Sequence, residues 1–218
     1  MLFRSIIYDN LNLEINDGFI WLRGKSGCGK STLLKIIAKD TKYQGKVLFN
    51  NQEIAKNDIC YVSSDQNAIM DATLFENFMA LRKKSNIEKN KQMEYFYGLM
   101  ALFNLPKELV HMEYKALSTG QRKRFILVLS LFLNKKIYLY DELTENLDEE
   151  NRIIIYKAIK TLAIDHFVIF VSHDEKIREY VNTILTLENK EIKKEELIIN
   201  KGGISLDVKG ENDKEVVK

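Results

Sequence analysis

The sequence predicts an α/β fold: a mainly parallel sheet flanked by helices, with an inserted all-helical part and a small antiparallel β element. Two observations predict it. Short β-branched and aromatic runs alternate with longer segments of helical periodicity, which favours parallel strands joined by helices. From about residue 67 to 116, however, strand signals vanish and helical periodicity dominates. A helical insert between two α/β parts accounts for that interruption.

The first part of the chain alternates strand and helix. FIWLRG (19–24) is typical of a buried strand that runs into a glycine turn, and STLLKIIAKD (31–40) has apolar residues at helical spacing. KVLFNN (46–51) and DICYVSS (58–64) are typical of short strands, with Asn50-Asn51 as a turn. These elements form the first half of the predicted α/β core.

The insert is predicted to be helical throughout. ATLFENFMALRKK (72–84) and NKQMEYFYGLMALFNL (90–105) carry the helical period. The helical subdomain extends to about residue 130 when the helix that follows LSTGQ (117–121) is included. The insert therefore separates the two halves of the core.

The second half of the core returns to alternation. KKIYLYDE (135–142) and HFVIFVSHD (166–174) are strand-like, EENRIIIYKAIKTLA (149–163) is an amphipathic helix, and TILTLENKEI (183–192) suggests a small hairpin. We therefore expect one domain over residues 1–200. The glycines and mixed charges of 201–218 predict a loosely ordered tail.

Composition limits the class of protein. Of 218 residues, 45% are hydrophobic and 29% charged, and the formal net charge is +2, so we expect no nucleic-acid partner. Cys28 and Cys60 form no CxxC pair or disulfide framework, which is consistent with a reducing cytosol. No apolar run reaches the roughly 20 residues of a membrane span, and the N-terminus is not typical of a signal peptide. Any membrane role is expected to come through a partner chain.

A phosphate-binding loop is the strongest motif in the chain. GKSGCGKS (24–31) fits G-x-x-x-x-G-K-[ST] at every fixed position, between a predicted strand and a predicted helix. Backbone N–H groups of such a loop curl around a phosphate, and the helix N-terminus adds positive potential. Lys30 can reach the β- and γ-phosphates and the Ser31 hydroxyl can bind Mg²⁺. The nucleotide-binding candidates are Gly24, Lys25, Ser26, Gly27, Cys28, Gly29, Lys30, Ser31 and Thr32.

Two acids end a hydrophobic strand, where α/β sheets place their sites. In IYLYDE (137–142), Asp141 could hold Mg²⁺ through water and Glu142 could polarise an attacking water. Taken alone, the pair could also be a solvated loop of acids. Its presence beside a phosphate loop favours the catalytic interpretation.

Three weaker signals remain open when each is taken singly. His173 follows a buried strand, and Gln66 follows another. Either residue could be structural or simply exposed on a surface loop. LSTGQ (117–121) could bind an anion at a helix start, or Ser118 could merely cap that helix. Capping and ligand binding are compatible.

In order, these motifs closely resemble the ATP-binding cassette (ABC) ATPases. The resemblance covers roughly residues 1–195 and is carried by GKSGCGKST, Gln66, LSTGQ, IYLYDE, NLD (146–148) and SHD (172–174). Each short motif is weak, but their shared order is highly specific.

The resemblance implies a P-loop NTPase core that binds MgATP as a head-to-tail homodimer or paired cassette. It assigns Glu142 as general base and His173 as a contact to the γ-phosphate. Gln66 would contact Mg²⁺ and water, and Asp148 would lie across the dimer interface. Ser118, Gly120 and Gln121 would serve the γ-phosphate of the opposite site. Mg²⁺ ligation falls to Ser31, Gln66 and Asp141.

The same resemblance implies a partner and a location. The helical insert would meet a separate transmembrane permease, which places the chain in the cytoplasm, peripheral to the membrane. ATP hydrolysis would power transport, with export slightly favoured because no regulatory domain follows the cassette. A soluble, non-transport ABC ATPase is the alternative. A P-loop kinase would explain Gly24 to Ser31 but neither LSTGQ nor SHD.

Departures from the family pattern occur at several positions. Thr119 replaces a glycine of the common LSGGQ, Leu143 replaces the proline after the acid pair, and ENLD (145–148) replaces the usual SALD. Phe3 lies where the family has an aromatic that stacks on adenine. It could instead pack in the core.

Overall fold

The structure is a computed structural model. It describes residues 18–44, 46–49, 52–188 and 191–197, together with the backbone of 199–200 and 203–204. Phe3, the Asn50-Asn51 turn and the predicted tail beyond residue 204 lie outside the described residues.

The described chain contains short and long strands, of which six form one sheet. In chain order they are β1 (Phe19–Gly24), β2 (Leu48–Phe49), β3 (Gln52–Glu53), β4 (Ile59–Val62), β5 (Ile137–Asp141), β6 (Phe167–Val171), β7 (Thr183–Glu188), β8 (Glu191–Glu196), β9 (Ile199–Asn200) and β10 (Gly203–Ile204). The main sheet has the order β4-β5-β6-β1-β7-β8. All its pairings are parallel except β7 with β8. This confirms the predicted mainly parallel α/β fold and the predicted hairpin.

Five α-helices of the described chain join or flank the strands. They are α1 (Lys30–Ile37), α2 (Leu74–Leu81), α3 (Gln92–Leu102), α4 (Thr119–Phe132) and α5 (Glu149–Leu162). Between β4 and β5 the described chain forms no strand, only an isolated bridge between Thr73 and Glu113. The helical character predicted for this region is therefore present.

Two small antiparallel pairs complete the architecture. β2 pairs with β3 and β9 pairs with β10. The second pair reaches Ile204, inside the span for which the sequence predicts a loose tail. Among the described residues, no helix is long and apolar enough to cross a membrane.

The central strands β1, β5, β6 and β7 are mostly buried on both faces, which explains their near-continuous apolar sequences, whereas the edge strand β8 is largely exposed. In β1, Phe19 and Trp21 pack into the core shared with α2 to α5, whereas Ile20 and Leu22 pack into the core beneath α1. The alternation follows from the strand period of two. It fixes the register of β1 and hence the position of the phosphate loop that follows it.

Side-chain caps fix where the long helices begin. Ser118 caps α4 and Asp148 caps α5, each accepting a hydrogen bond from the backbone N–H three residues later. Thr73 and Glu76 form a capping box that starts α2. The α4 and α5 starts carry LSTGQ and NLD, so capping determines how both motifs are presented.

Candidate functional site

The sheet order brings the predicted catalytic segments together at one edge. β5, β6 and β1 are consecutive parallel neighbours, so their carboxyl ends lie side by side. Asp141 ends β5, Ser172 and His173 follow β6, and Gly24 ends β1. Strand ends of this kind are where open α/β sheets bind ligands.

The phosphate loop joins β1 to α1 and holds its lysine inward. Lys30 is 5% exposed, and its ammonium donates hydrogen bonds to the carbonyl oxygens of Gly24 at 2.9 Å and Lys25 at 3.1 Å. Ser31 at the start of the same helix is exposed. A buried cation and an exposed hydroxyl at a helix N-terminus are suited to binding an anion.

Glycine is required at both ends of this loop. Gly29 caps α1 with φ of 112°, a conformation that side chains rarely adopt. Gly24 has φ of 155°, and a Cβ there would lie 2.5 Å from the Leu187 carbonyl oxygen and 2.8 Å from Cys28 Sγ. Close packing against β7 therefore excludes any larger residue at Gly24.

The two carboxylate oxygens of Asp141 differ in their hydrogen bonding. Its Oδ2 accepts a hydrogen bond of 3.1 Å from the Tyr61 hydroxyl on the neighbouring strand β4. Its Oδ1 is buried and has no hydrogen-bond partner among the residues that the structure describes. Burial and the Asp141 carboxylate both raise the pKa of Tyr61, so this phenol stays a donor. A buried carboxylate oxygen without a partner suits a ligand to Mg²⁺, directly or through water.

Glu142 and His173 face each other across neighbouring strand ends. Glu142 Oε1 lies 3.2 Å from His173 Nε2. Glu142 has φ of 55°, an uncommon left-handed conformation for a residue other than glycine. Leu143, at the position of the family's proline, is fully buried in the core. The structure thus pairs the two predicted catalytic side chains directly.

Gln66 lies in a turn beyond β4 and is exposed. Its backbone N–H donates to the Ser63 carbonyl at 3.1 Å, and the described contacts show no hydrogen bond to its side chain. Gln66 therefore lies at the same edge of the sheet as Asp141 and Glu142, and none of the described hydrogen bonds joins its side chain to either acid.

The LSTGQ segment begins α4, and two of its residues form hydrogen bonds with each other. The Ser118 hydroxyl accepts from Gln121 N–H at 3.2 Å, and the Gln121 carboxamide accepts from Ser118 N–H at 3.0 Å. Ser118 and Thr119 are exposed. In the described chain no hydrogen bond or ion pair joins LSTGQ to the phosphate loop. The capping expectation is confirmed, and the helix start faces outward.

Gly120 packs against the start of α5. A Cβ on Gly120 would lie 2.4 Å from Asn151 Oδ1. The Asn151 carboxamide in turn donates to both Asp148 oxygens, each at 2.8 Å. LSTGQ and NLD of one chain are therefore in contact through Asn151.

Tyr61, Asn151 and Arg23 were not singled out by the sequence analysis. Arg23 stacks over Trp21 and donates to the Thr186 hydroxyl at 2.9 Å, beside a cleft of about 500 Å³ that also borders the phosphate loop. Tyr61 carries only the ordinary alternation of a strand. Tyr61, Asn151 and Arg23 each also contact a residue far away in sequence, and such contacts leave no local signal.

Comparison with known proteins identifies the family. The family described as "ABC transporter" matches residues 8–145, more than half of the chain. The uncharacterized ABC transporter ATP-binding protein MJ1508 of Methanocaldococcus jannaschii is 30% identical, over 91% of this chain and 93% of its own. The lipoprotein-releasing system ATP-binding protein LolD of Buchnera aphidicola is 29% identical, over 87% and 90%. Relatives named for import and for export both occur.

A solved structure agrees with the fold. The dimeric post-hydrolysis state of the ATP-binding cassette MJ0796, bound to ADP and Pi, is 26% identical and superposes with a TM-score of 0.74 over 87% of this chain and 90% of that one. The chain belongs to the ABC transporter family, as a member of its ATP-binding cassette proteins.

Proposed function

We propose that this chain binds and hydrolyses MgATP as a dimer of cassettes and drives a separate transmembrane subunit. One observation carries the proposal: a complete phosphate loop and acid pair coexist with a second anion-binding helix start that faces outward. Ser118 is exposed at the start of α4 and makes no hydrogen bond to the phosphate loop of its own chain. In the proposed dimer, this helix start binds the nucleotide held by the phosphate loop of the second cassette.

Each side chain at the sheet edge has a chemical role in this proposal. Lys30 and the loop amides bind the phosphates. Glu142 takes a proton from the attacking water, and His173, held at 3.2 Å from Glu142, orients it and contacts the γ-phosphate. Ser118, Gly120 and Gln121 of the second copy complete the phosphate shell. When bound, Mg²⁺ supplies charge neutralisation, and Ser31, Gln66 and Asp141 are its proposed ligands.

The surface of the helical insert supports a protein partner. Ile69 is 59% exposed, and Met70, Met79 and Met112 are each about 40% exposed. Exposed methionine and isoleucine side chains are suited to docking an apolar segment. A transmembrane permease with a cytoplasmic loop is the proposed partner, which makes this chain peripheral at the cytoplasmic face. The proposal favours export.

A soluble ABC ATPase that acts in assembly or regulation is the alternative. Co-purification separates the two: the transport proposal requires a polytopic membrane protein bound through the insert. Substituting Met70 and Met112 with glutamate should release that protein and leave ATP binding intact.

Complementation between two inactive variants tests the composite site. Lys30→Ala removes the cation that faces the phosphates, and Ser118→Arg places a bulky cation at the outward helix start. Each variant alone should lack ATPase activity. In an equal mixture about half of the dimers are mixed, and each holds one site built from unmutated halves, so about a quarter of the activity should return. Normal turnover by Ser118→Arg alone would disprove the composite site.

A further inference from the structure

Lys123 connects the helix that begins at LSTGQ to the loop that leaves β4. Its ammonium donates a hydrogen bond to the Ser64 carbonyl oxygen. Lys123 lies one turn after Gly120 in α4, so it moves rigidly with the start of that helix. The contact joins two segments 59 residues apart in sequence.

Ser64 lies at the edge of the sheet, close to the proposed nucleotide site. Val62, the last residue of β4, pairs with Tyr140, so the chain leaves β4 beside Asp141 and Glu142. Gln66 follows in the same turn, closed by its N–H bond to Ser63. Any displacement of this turn by a nucleotide or metal would move the Ser64 carbonyl.

The charge of Lys123 is poorly compensated. Partial burial lowers the pKa of this ammonium, and the carboxylates of Asp65 and Glu145 act in the opposite direction. Neither acid forms an ion pair with it in the described structure. Partly desolvating a charge against a neutral carbonyl has a cost, so packing alone does not explain a lysine where a methionine would fill the same space.

The rest of the loop that leaves β4 is hydrogen-bonded to the segment that precedes Ser118. Lys115 N–H donates to the Met70 carbonyl at 3.1 Å, and Tyr114 N–H donates to the Ala72 carbonyl at 3.0 Å. The Tyr114 hydroxyl also reaches Asn67 at 3.4 Å. Ser118 is therefore flanked on both sides by contacts to one loop.

We infer that Lys123 is a positioning residue that fixes the orientation of Ser118 according to the state of the chain's own nucleotide site. The inference rests on the proposed function, since only a second cassette uses the outward helix start. The Lys123–Ser64 bond transmits the position of the turn at Gln66 to α4. A chain without it binds nucleotide normally but offers Ser118 in a poorly defined orientation.

The test uses the full chain carrying Glu142→Gln, in which hydrolysis is suppressed and closed dimers accumulate. Lys123→Met removes the charge and keeps the stem, Lys123→Arg keeps the charge, and Lys157→Met makes the same charge change on an exposed face of α5. MgATP affinity is measured by titration and dimerisation by analytical ultracentrifugation. Hydrogen exchange of the peptide covering 63–67 reports on the turn.

We expect Lys123→Met to bind MgATP within about twofold of its parent and to dimerise about tenfold more weakly, a factor that corresponds to about 1.4 kcal/mol. Exchange at 63–67 should be faster, Lys123→Arg should restore most dimerisation, and Lys157→Met should match the parent. Unchanged dimerisation of Lys123→Met would overturn this inference alone, as would an equal loss of ATP affinity and dimerisation. A Glu142→Gln parent that does not dimerise would overturn the proposed function as well.

Discussion

Replacing Gly120 with alanine should destabilise the protein through Asn151. The added Cβ would lie 2.4 Å from Asn151 Oδ1 and 2.6 Å from its Cγ, so the carboxamide has to move. Moving it breaks two hydrogen bonds of 2.8 Å to Asp148. Losing these exposed bonds should cost about 1–2 kcal/mol, and alanine should regain about 0.5–1 kcal/mol over glycine within the helix, so we expect a net loss of about 0.5–1 kcal/mol in the free energy of unfolding. For a domain of this size the melting temperature should fall by about 1–4 °C.

Urea denaturation of matched variants measures this effect. Gly98 in α3 is the control, since a Cβ there meets nothing within 4 Å, and Gly98→Ala should be stabilising by about 0.5–1 kcal/mol. Asn151→Ala should relieve the clash, so Gly120→Ala should cost little in that background. A double-mutant cycle gives the coupling between the two positions. If Gly120→Ala is neutral, or costs the same with and without Asn151, the contact does not explain the glycine.

Two further predictions concern the site. Tyr61→Phe removes the hydroxyl that donates a 3.1 Å hydrogen bond to Asp141. The Mg²⁺ concentration for half-maximal ATPase activity should therefore rise by about tenfold, as is usual when a residue that hydrogen-bonds to a metal ligand is lost. An unchanged Mg²⁺ dependence, measured by phosphate release, would refute this role. Burial raises the pKa of Cys60 to about 12, so its thiol stays protonated at pH 8, whereas Cys28 is partly exposed. Iodoacetamide at pH 8 should therefore label Cys28 and not Cys60 in the folded protein, and equal labelling by mass spectrometry would contradict the burial.

The fold is predictable from the sequence because the signals of its strands and helices are periodic and local. FIWLRG and IYLYDE became β1 and β5, and the helical period of 90–105 became α3. The starts of helices can also be predicted from the sequence, because a capping side chain and the backbone N–H that it binds lie three residues apart. LSTGQ is one such start, and Ser118 caps α4 as anticipated.

The site was predicted as a set of residues but not as a geometry. The motif order indicated Glu142 and His173, yet their 3.2 Å approach depends on β5 and β6 being neighbours. Tyr61 and Lys123 act on residues 80 and 59 positions away, so nothing local in the sequence marks them. The position of Leu143 in the core explains how the family's proline can be replaced, which the motif alone did not show.

The proposal that two copies close on ATP and that Glu142 activates the water is tested with Glu142→Gln. This change keeps the shape and hydrogen bonding of the side chain but removes the base, which typically costs about 10²–10⁴ in rate. Size-exclusion chromatography in MgATP, with phosphate release measured on the same sample, should show a stable dimer with trapped nucleotide and almost no turnover. Normal turnover, or a monomer that does not bind ATP, would contradict the claim.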